Sequence, residues 1–388
     1  MSINLHDGVH GMVPRDQMAP PARKLRDLYA IKPGAPILHR EFGFMEGVRE
    51  RWVSEGLDKD ADWAKEFGWD GPGAHGLGGL GWCEAAFVPA FEDKVLEDRG
   101  EYEVYQDFAG RGVLVFNGRR NGFMPEYVAH PVKDMKSWQE QCKWRMDPRT
   151  PQRWADLDAR MARARDAAAK GMIITQGLVG GYMYLRSLIG PTELLYAFYD
   201  MPDVVHECMR TWLELADATI ARHQQHVTID EIFFAEDICY NHGMLISPEM
   251  GKQFLVPYYQ QLIANLRGRQ IDRTRHLHVQ VDTDGWAVPS IPFYQEAIGL
   301  DVMSPFECAS GCDVVKVGRE FPTLMMSGGI DKRILAQGKD AIDRHIEYIL
   351  PAMRERGGYY PTSDHAVPLE VSLENYRHYR KRCLELGG

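Results

Sequence analysis

Asp282 and Asp284 stand two residues apart in the stretch VDTDG, directly after an apolar run that reads as a strand. Where a strand gives way to a loop, two carboxylates at that spacing can face one centre. Glu307 in SPFE and His365 in SDHAVP close two later runs of the same kind. The four side chains make an Asp/Asp/Glu/His set of oxygen and nitrogen donors, which zinc, manganese or iron accept. Neighbouring runs end in Glu236 and Asp237, in Gly328, Gly329 and Asp331, and in Ser363 and Asp364. So many carboxylates in one mouth would raise one another's pKa unless a cation sat among them, and a divalent metal is the economical solution. The alternative is structural: Asp284-Gly285 makes a turn, Glu307 pairs with a Lys or Arg, and His365 caps a helix.

Other groups could serve the same chemistry. Glu236, Tyr240 and His242 follow one strand, and Tyr240 or His242 could give a proton to a leaving oxygen. His276 and His278 alternate onto one strand face; His278 completes the candidate catalytic groups, with an interior polar role as its competing reading. Tyr182, Tyr184 and Arg186 in GLVGGYMYLRSLIG, together with Trp286, could wall an aromatic pocket or meet a carboxylate, though core packing would use the same residues. Cys308 and Cys312 have C-x3-C spacing but no second pair, a weak metal signal. The run GPGAHGLGGLGW (71–82) has no P-loop lysine and reads as a loop.

The elements that must position these groups are regular after about residue 155. Six short apolar runs, MIITQG (172–177), EIFFAED (231–237), HLHVQVD (276–282), LDVMSPFE (300–307), TLMMSGG (323–329) and GYYPTSDH (358–365), alternate with helical stretches. Repeated β-then-α units imply a parallel sheet, and six of them with room upstream for two more favour a closed (β/α)8 TIM barrel over a doubly wound sheet. Residues 1–35, with four prolines, read as an N-terminal arm on a single domain of residues 36–388. An insertion is expected at about 60–150, and within it YEVYQDFAGRGVLVFNG (102–118) has the alternation of a β-hairpin.

The 388 residues carry 55 acidic and 45 basic side chains, a net charge of -10 that gives no reason to expect a nucleic-acid partner. Hydrophobic residues at 45 % and charged residues at 26 % are ordinary for a folded enzyme. Seven scattered cysteines read as reduced thiols, and the polar N-terminus has no secretory apolar core, so a cytoplasmic setting without membrane spans is expected.

The stretches PILHREFGFMEGVRERW, AEDICYNHGMLISPEM, VDTDGWAVPSIPFYQEAIGLDVMSPFE, SGGIDKRIL and GYYPTSDHAVPLEVSLENYRHY resemble the uroporphyrinogen decarboxylase superfamily, and within it the corrinoid-dependent methyltransferase branch. The resemblance covers most of residues 160–385 and implies a TIM barrel. Those methyltransferases and the related cobalamin-independent methionine synthases hold zinc through a His-X-Cys-Gly strand end, in the synthases a Glu one strand later, and a final Cys. Asp282-Thr283-Asp284-Gly285 occupies the first position of that pattern, Glu307 the second and His365 the last. The positions persist while the thiolates are gone.

Carboxylate and imidazole ligands leave a harder ion than thiolates do, and a harder ion prefers oxygen. The resemblance, so altered, implies transfer of a methyl group from an O-methyl donor to the cobalt(I) of a corrinoid on a partner protein, assisted by a divalent metal, zinc first. A phenolate leaves more readily than an alkoxide, so a methoxylated aromatic is the expected small-molecule donor. The competing functions are decarboxylation of the uroporphyrinogen type, methyl transfer from methylcorrinoid to a thiol or folate, and a non-catalytic corrinoid-protein chaperone. The decarboxylases' Arg-rich N-terminal motif is replaced by HREFGFMEG. A homodimer is compatible with any of these.

Overall fold

All six apolar runs form strands in the computed structural model, which describes residues 13–119 and 126–388; residues 1–12 of the expected arm lie outside the described residues. A seventh strand precedes them. In chain order these are β1 (Ala74–Gly76), β2 (Ile173–Val179), β3 (Glu231–Ala235), β4 (His278–Asp282), β5 (Val302–Ser304), β6 (Met325–Ser327) and β7 (Tyr359–Tyr360). They pair in sequence order as one parallel sheet. Its register sets Ala235 beside Asp282 and Asp282 beside Ser304, so side chains from successive strands end at one level.

The strands bury both faces, as βαβ connections require. On the outer face, Phe234 meets Trp212 and Tyr259 from helices Pro202–His223 and Val256–Arg269. The first of these helices buries Val204, Val205, Cys208, Trp212, Leu215, Ala216 and Ile220, a three-to-four-residue stripe that lies along the sheet. On the inner face, Ile173, Val302 and Met325 pack against Leu25, Leu28 and Tyr29 of helix Pro20–Tyr29, which covers the N-terminal end of the strands. Above that plug the interior turns polar. Tyr29 Oη donates to Glu231, and Gln280 spans from Glu231 (3.1 Å) to Ser304 Oγ (3.0 Å). Burial pushes the Glu231 carboxyl up to about 7.

Two expectations change. The glycine run read as a loop contains β1, which pairs with β2 from Ala74↔Ile173 to Gly76↔Thr175. With no β-branched residues it lacks a strand's composition, and at Gly73 a Cβ would come within 2.7 Å of the Pro21 carbonyl, so the close approach of the N-terminal helix requires glycine there. The second concerns the eight-stranded barrel: the parallel ladder is a curled sheet of seven strands. Residues 36–44 lie between its edges through isolated bonds, Asp70 N donating to His39 O (2.8 Å) and Val367 N to Gly43 O (2.8 Å). The polar HREFG stretch lacks the apolar alternation that would make it a regular strand.

The expected hairpin forms from Tyr102–Gln106 and Gly112–Phe116, extended by Lys94–Asp98 and Glu126–Ala129 into a four-stranded antiparallel sheet. Tryptophans 63 and 69 pack elsewhere. They join Phe44, Trp52, Phe67 and Tyr376 in an aromatic cluster that ties the N-terminal segment to helix Leu373–Gly387, with Trp52 Nε1 donating to Val371 O (2.8 Å).

Candidate active site

At and beyond the C-terminal ends of β3, β4 and β5, and in the segment after β7, five carboxylates converge: Asp237, Asp282, Asp284, Glu307 and Asp364. Two cations enter this group. Arg186 Nη2 lies 2.5 Å from Asp237 Oδ2, and Lys332 Nζ lies 3.1 Å from Glu307 Oε1 and 3.7 Å from Asp364 Oδ1. Backbone amides fix the rest. Gly285 N donates to Glu307 Oε2 (2.9 Å), while Cys308 N and Lys332 N donate to the two oxygens of buried Asp364 (2.8 and 3.0 Å). Asp237 and Phe306 both take left-handed φ values, 46° and 60°. Such backbone strain at non-glycine residues is concentrated at functional sites.

Negative charge still exceeds positive. Burial, then Asp237, Glu307 and Asp282, push the Asp284 carboxyl up to about 8. Asp282, which accepts from Ser304 Oγ, is raised to about 7, chiefly by burial. His365 Nε2 lies 3.8 Å from Asp284 Oδ2, and burial followed by Lys332 lowers its pKa. Asp284 and His365 therefore face one another in an anionic setting, which is what a divalent cation relieves. Glu307, by contrast, is engaged by a lysine, as its structural reading supposed, and no three of Asp282, Asp284, Glu307 and His365 bring ligand atoms within 4.8 Å of one another.

The aromatic groups at this mouth are Phe42, Trp82, Tyr240 and Trp286, all exposed. The Phe42 ring lies 5.1 Å from that of His365, and Trp82 stacks at 5.0 Å and 13° on Phe233, on the face of β3 opposite Phe234. Trp286 N donates to Tyr240 O (2.8 Å), and the Tyr240 and His242 rings meet edge-on at 5.5 Å.

The remaining sequence candidates sit elsewhere. Glu236 is fully buried behind the mouth, accepting from Tyr259 Oη (2.6 Å) and Tyr182 N (3.3 Å) at the start of helix Gly181–Ile189. A Cβ on Gly180 would fall 1.9 Å from its Oε2, so only glycine admits that carboxyl. Burial raises it to about 7. Tyr182 is buried beside it. Tyr184 points into the helical layer, donating to Cys208 O (3.2 Å). His278 begins β4 whereas Asp282 ends it, a separation of ~13 Å at strand rise. Cys308 and Cys312 turn their sulfurs to the carbonyls of Gly329 (3.3 Å) and Gly285 (3.5 Å). Residue-type reasoning passed over Lys332, Trp82 and Glu41. Glu41 is half-buried and accepts from Ser363 N (2.7 Å) and Tyr376 Oη (2.9 Å), holding the His365 loop. Their only sequence signal was position inside the stretches SGGIDKRIL and HREFG and at the end of the glycine run.

A parallel α/β sheet with its polar groups gathered beyond the C-terminal strand ends is organised as barrel-type enzymes are. Residues 127–385 match the family described as Uroporphyrinogen decarboxylase (URO-D). The chain belongs to the uroporphyrinogen decarboxylase family. In fold it is similar to a methyltransferase from Methanosarcina mazei, with a TM-score of 0.57 and 14% identity over 94% of this chain and 98% of that one. A putative vitamin-B12-independent methionine synthase from Listeria monocytogenes aligns less well, with a TM-score of 0.31 and 12% identity over 57% and 65% of the two chains. No curated protein matches by sequence. Among the described residues, no helix is long and apolar enough to cross a membrane.

Proposed function

We propose that this chain is a methyltransferase that takes a methyl group from a methoxylated aromatic and delivers it to the cobalt(I) of a corrinoid carried by a separate protein. The observation that carries the reading is the mouth itself: carboxylate and imidazole donors, Asp284 and His365 facing one another, beside open aromatic rings. Asp284 and His365 would hold a divalent ion, zinc first; bound there, the ion would supply Lewis acidity toward an oxygen leaving group. The corrinoid would supply the nucleophile.

The chain's own groups do the rest. Trp82, Phe42, Trp286 and Tyr240 offer exposed ring faces for an aryl group. Arg186 is held by Asp237 and balances that carboxylate's charge at the mouth. When the aryl O–CH3 bond breaks, the oxygen keeps the electron pair and needs a proton; Tyr240 and His242 are the exposed donors at the rim. A decarboxylase acting on a polycarboxylated tetrapyrrole would instead require unpaired basic groups, and Arg186 and Lys332 are both committed to carboxylates. The test is release of phenol from methoxyphenols or methoxybenzoates in the presence of a reduced corrinoid carrier.

A further inference from the structure

His276, His278 and Asp301 lie at the opposite end of the sheet from the mouth and play no part in the reading above. Their donor atoms fall within 4.8 Å of one another, the single such group of three among the described residues. The spacing His-Leu-His at the start of β4 turns both imidazoles to one side while Leu277 is buried on the other. The two rings stand edge to face at 4.7 Å. His276 Nε2 is 2.9 Å from Asp301 Oδ2.

The carboxylate is fixed by its backbone and by a second donor. Asp301 N donates to Val279 O and Met325 N to Asp301 O, both at 2.9 Å, so the residue is stitched into the ladder between β4 and β6. Val279 N also donates to Oδ2 (2.9 Å), aiming that oxygen at the histidine pair. Tyr29, from the N-terminal helix, covers His278 edge-on at 4.7 Å. The arginines nearby are occupied: Arg26 (3.4 Å) and Arg275 both pair with Asp230, leaving His276 as the ionic partner of Asp301.

We propose that His276, His278 and Asp301 form a second cation site, on the N-terminal face, for a borderline divalent metal of the zinc, cobalt(II) or nickel class. Two imidazoles and one carboxylate match the three-protein-ligand sites of such ions, with the fourth position open to water. Magnesium and calcium, which want six or more oxygens, do not fit. Tetrahedral ligation needs donor atoms ~3.3 Å apart, so the His276–Asp301 contact has to open by only a few tenths of an ångström. Bound there, the ion would clip the segment before β4 to the segment before β5 beneath the N-terminal helix, and it would stabilise the fold whether or not the mouth is catalytic.

The experiment uses the full-length chain, stripped by chelator and dialysed against zinc or cobalt(II) chloride alone. In an Asp284→Asn/His365→Ala background, which removes the facing pair of donors at the mouth, one equivalent of metal per chain is expected. Cobalt(II) should show visible bands of tetrahedral intensity without thiolate charge transfer. Adding His276→Ala, or the shape-conserving Asp301→Asn, should reduce the bound metal to none. Zinc should also shift the ring resonances of His276 and His278 in the otherwise unmodified chain, which keeps the test open if a variant fails to fold. No metal in the mouth-deficient background, unchanged binding after His276→Ala, or unshifted resonances would each overturn the site.

Discussion

Replacing Asp284 by Asn separates function from stability at the mouth. Moving a carboxyl from 3.8 to about 8 would correspond, unscreened, to ~6 kcal/mol of penalty on its charged form. The side chain is 40% exposed, so solvent screening reduces the useful figure to ~1–2 kcal/mol. The folded-state pKa lies above the unfolded one. The penalty is therefore absent below about pH 4, where both states are protonated, grows as pH rises, and is complete above about pH 8. Asn has no charge to lose, so the metal-free variant should match the unsubstituted chain near pH 4 and exceed it at pH 8.5. With ~2.1 cal/mol/K of unfolding entropy per residue, the gain amounts to ~1–3 °C in Tm. Calorimetry of the two metal-free proteins across that range is the assay, and methyl transfer should be lost in the variant. A fall in Tm at pH 8.5 would mean that Asp284 is held by a structural ion pair and that the charge excess at the mouth is wrongly drawn.

Three further outcomes are expected. Tyr259→Phe removes the hydroxyl that satisfies buried Glu236 and accepts from Gly181 N, and thermal melts should show a loss of ~2–3 kcal/mol, or ~3–4 °C. Lys332→Met leaves Glu307 and fully buried Asp364 without their cation; denaturant melts should show a loss of ~2–4 kcal/mol at pH 7.5 that shrinks as pH falls and Asp364, whose pKa burial raises, takes up a proton. Trp82→Ala should raise KM for a methoxylated aromatic by ~3–10-fold with little change in kcat, whereas equal KM values in steady-state assays would remove Trp82 from the donor pocket.

The strands after residue 155 were legible because Val, Ile, Phe and Met runs buried on both faces have few other ways to fold, and all six runs form strands. β1 was hidden because a strand of Ala, His and Gly is defined by its backbone neighbours and not by side-chain pattern. The acidic mouth could be read from strand ends alone, since the parallel register brings them to one level. Glu236 looked equivalent to Asp237 in sequence. One residue of register sends the first behind the sheet to Tyr259 and the second to Arg186. Lys332 was invisible for a different reason: it follows a helix cap, Asp331, several residues after β6, and only the folded chain brings its ammonium to Glu307.

Methyl transfer from oxygen to cobalt is tested in a single-turnover assay with the chain, a cobalt(I) corrinoid carrier protein and a panel of methoxyphenols and methoxybenzoates, following the cobalt(I) absorption together with phenol release. Loss of that absorption with one phenol released per cobalt is expected. No phenol from any methoxylated aromatic, with turnover of a methyl thioether or methylamine instead, would contradict it.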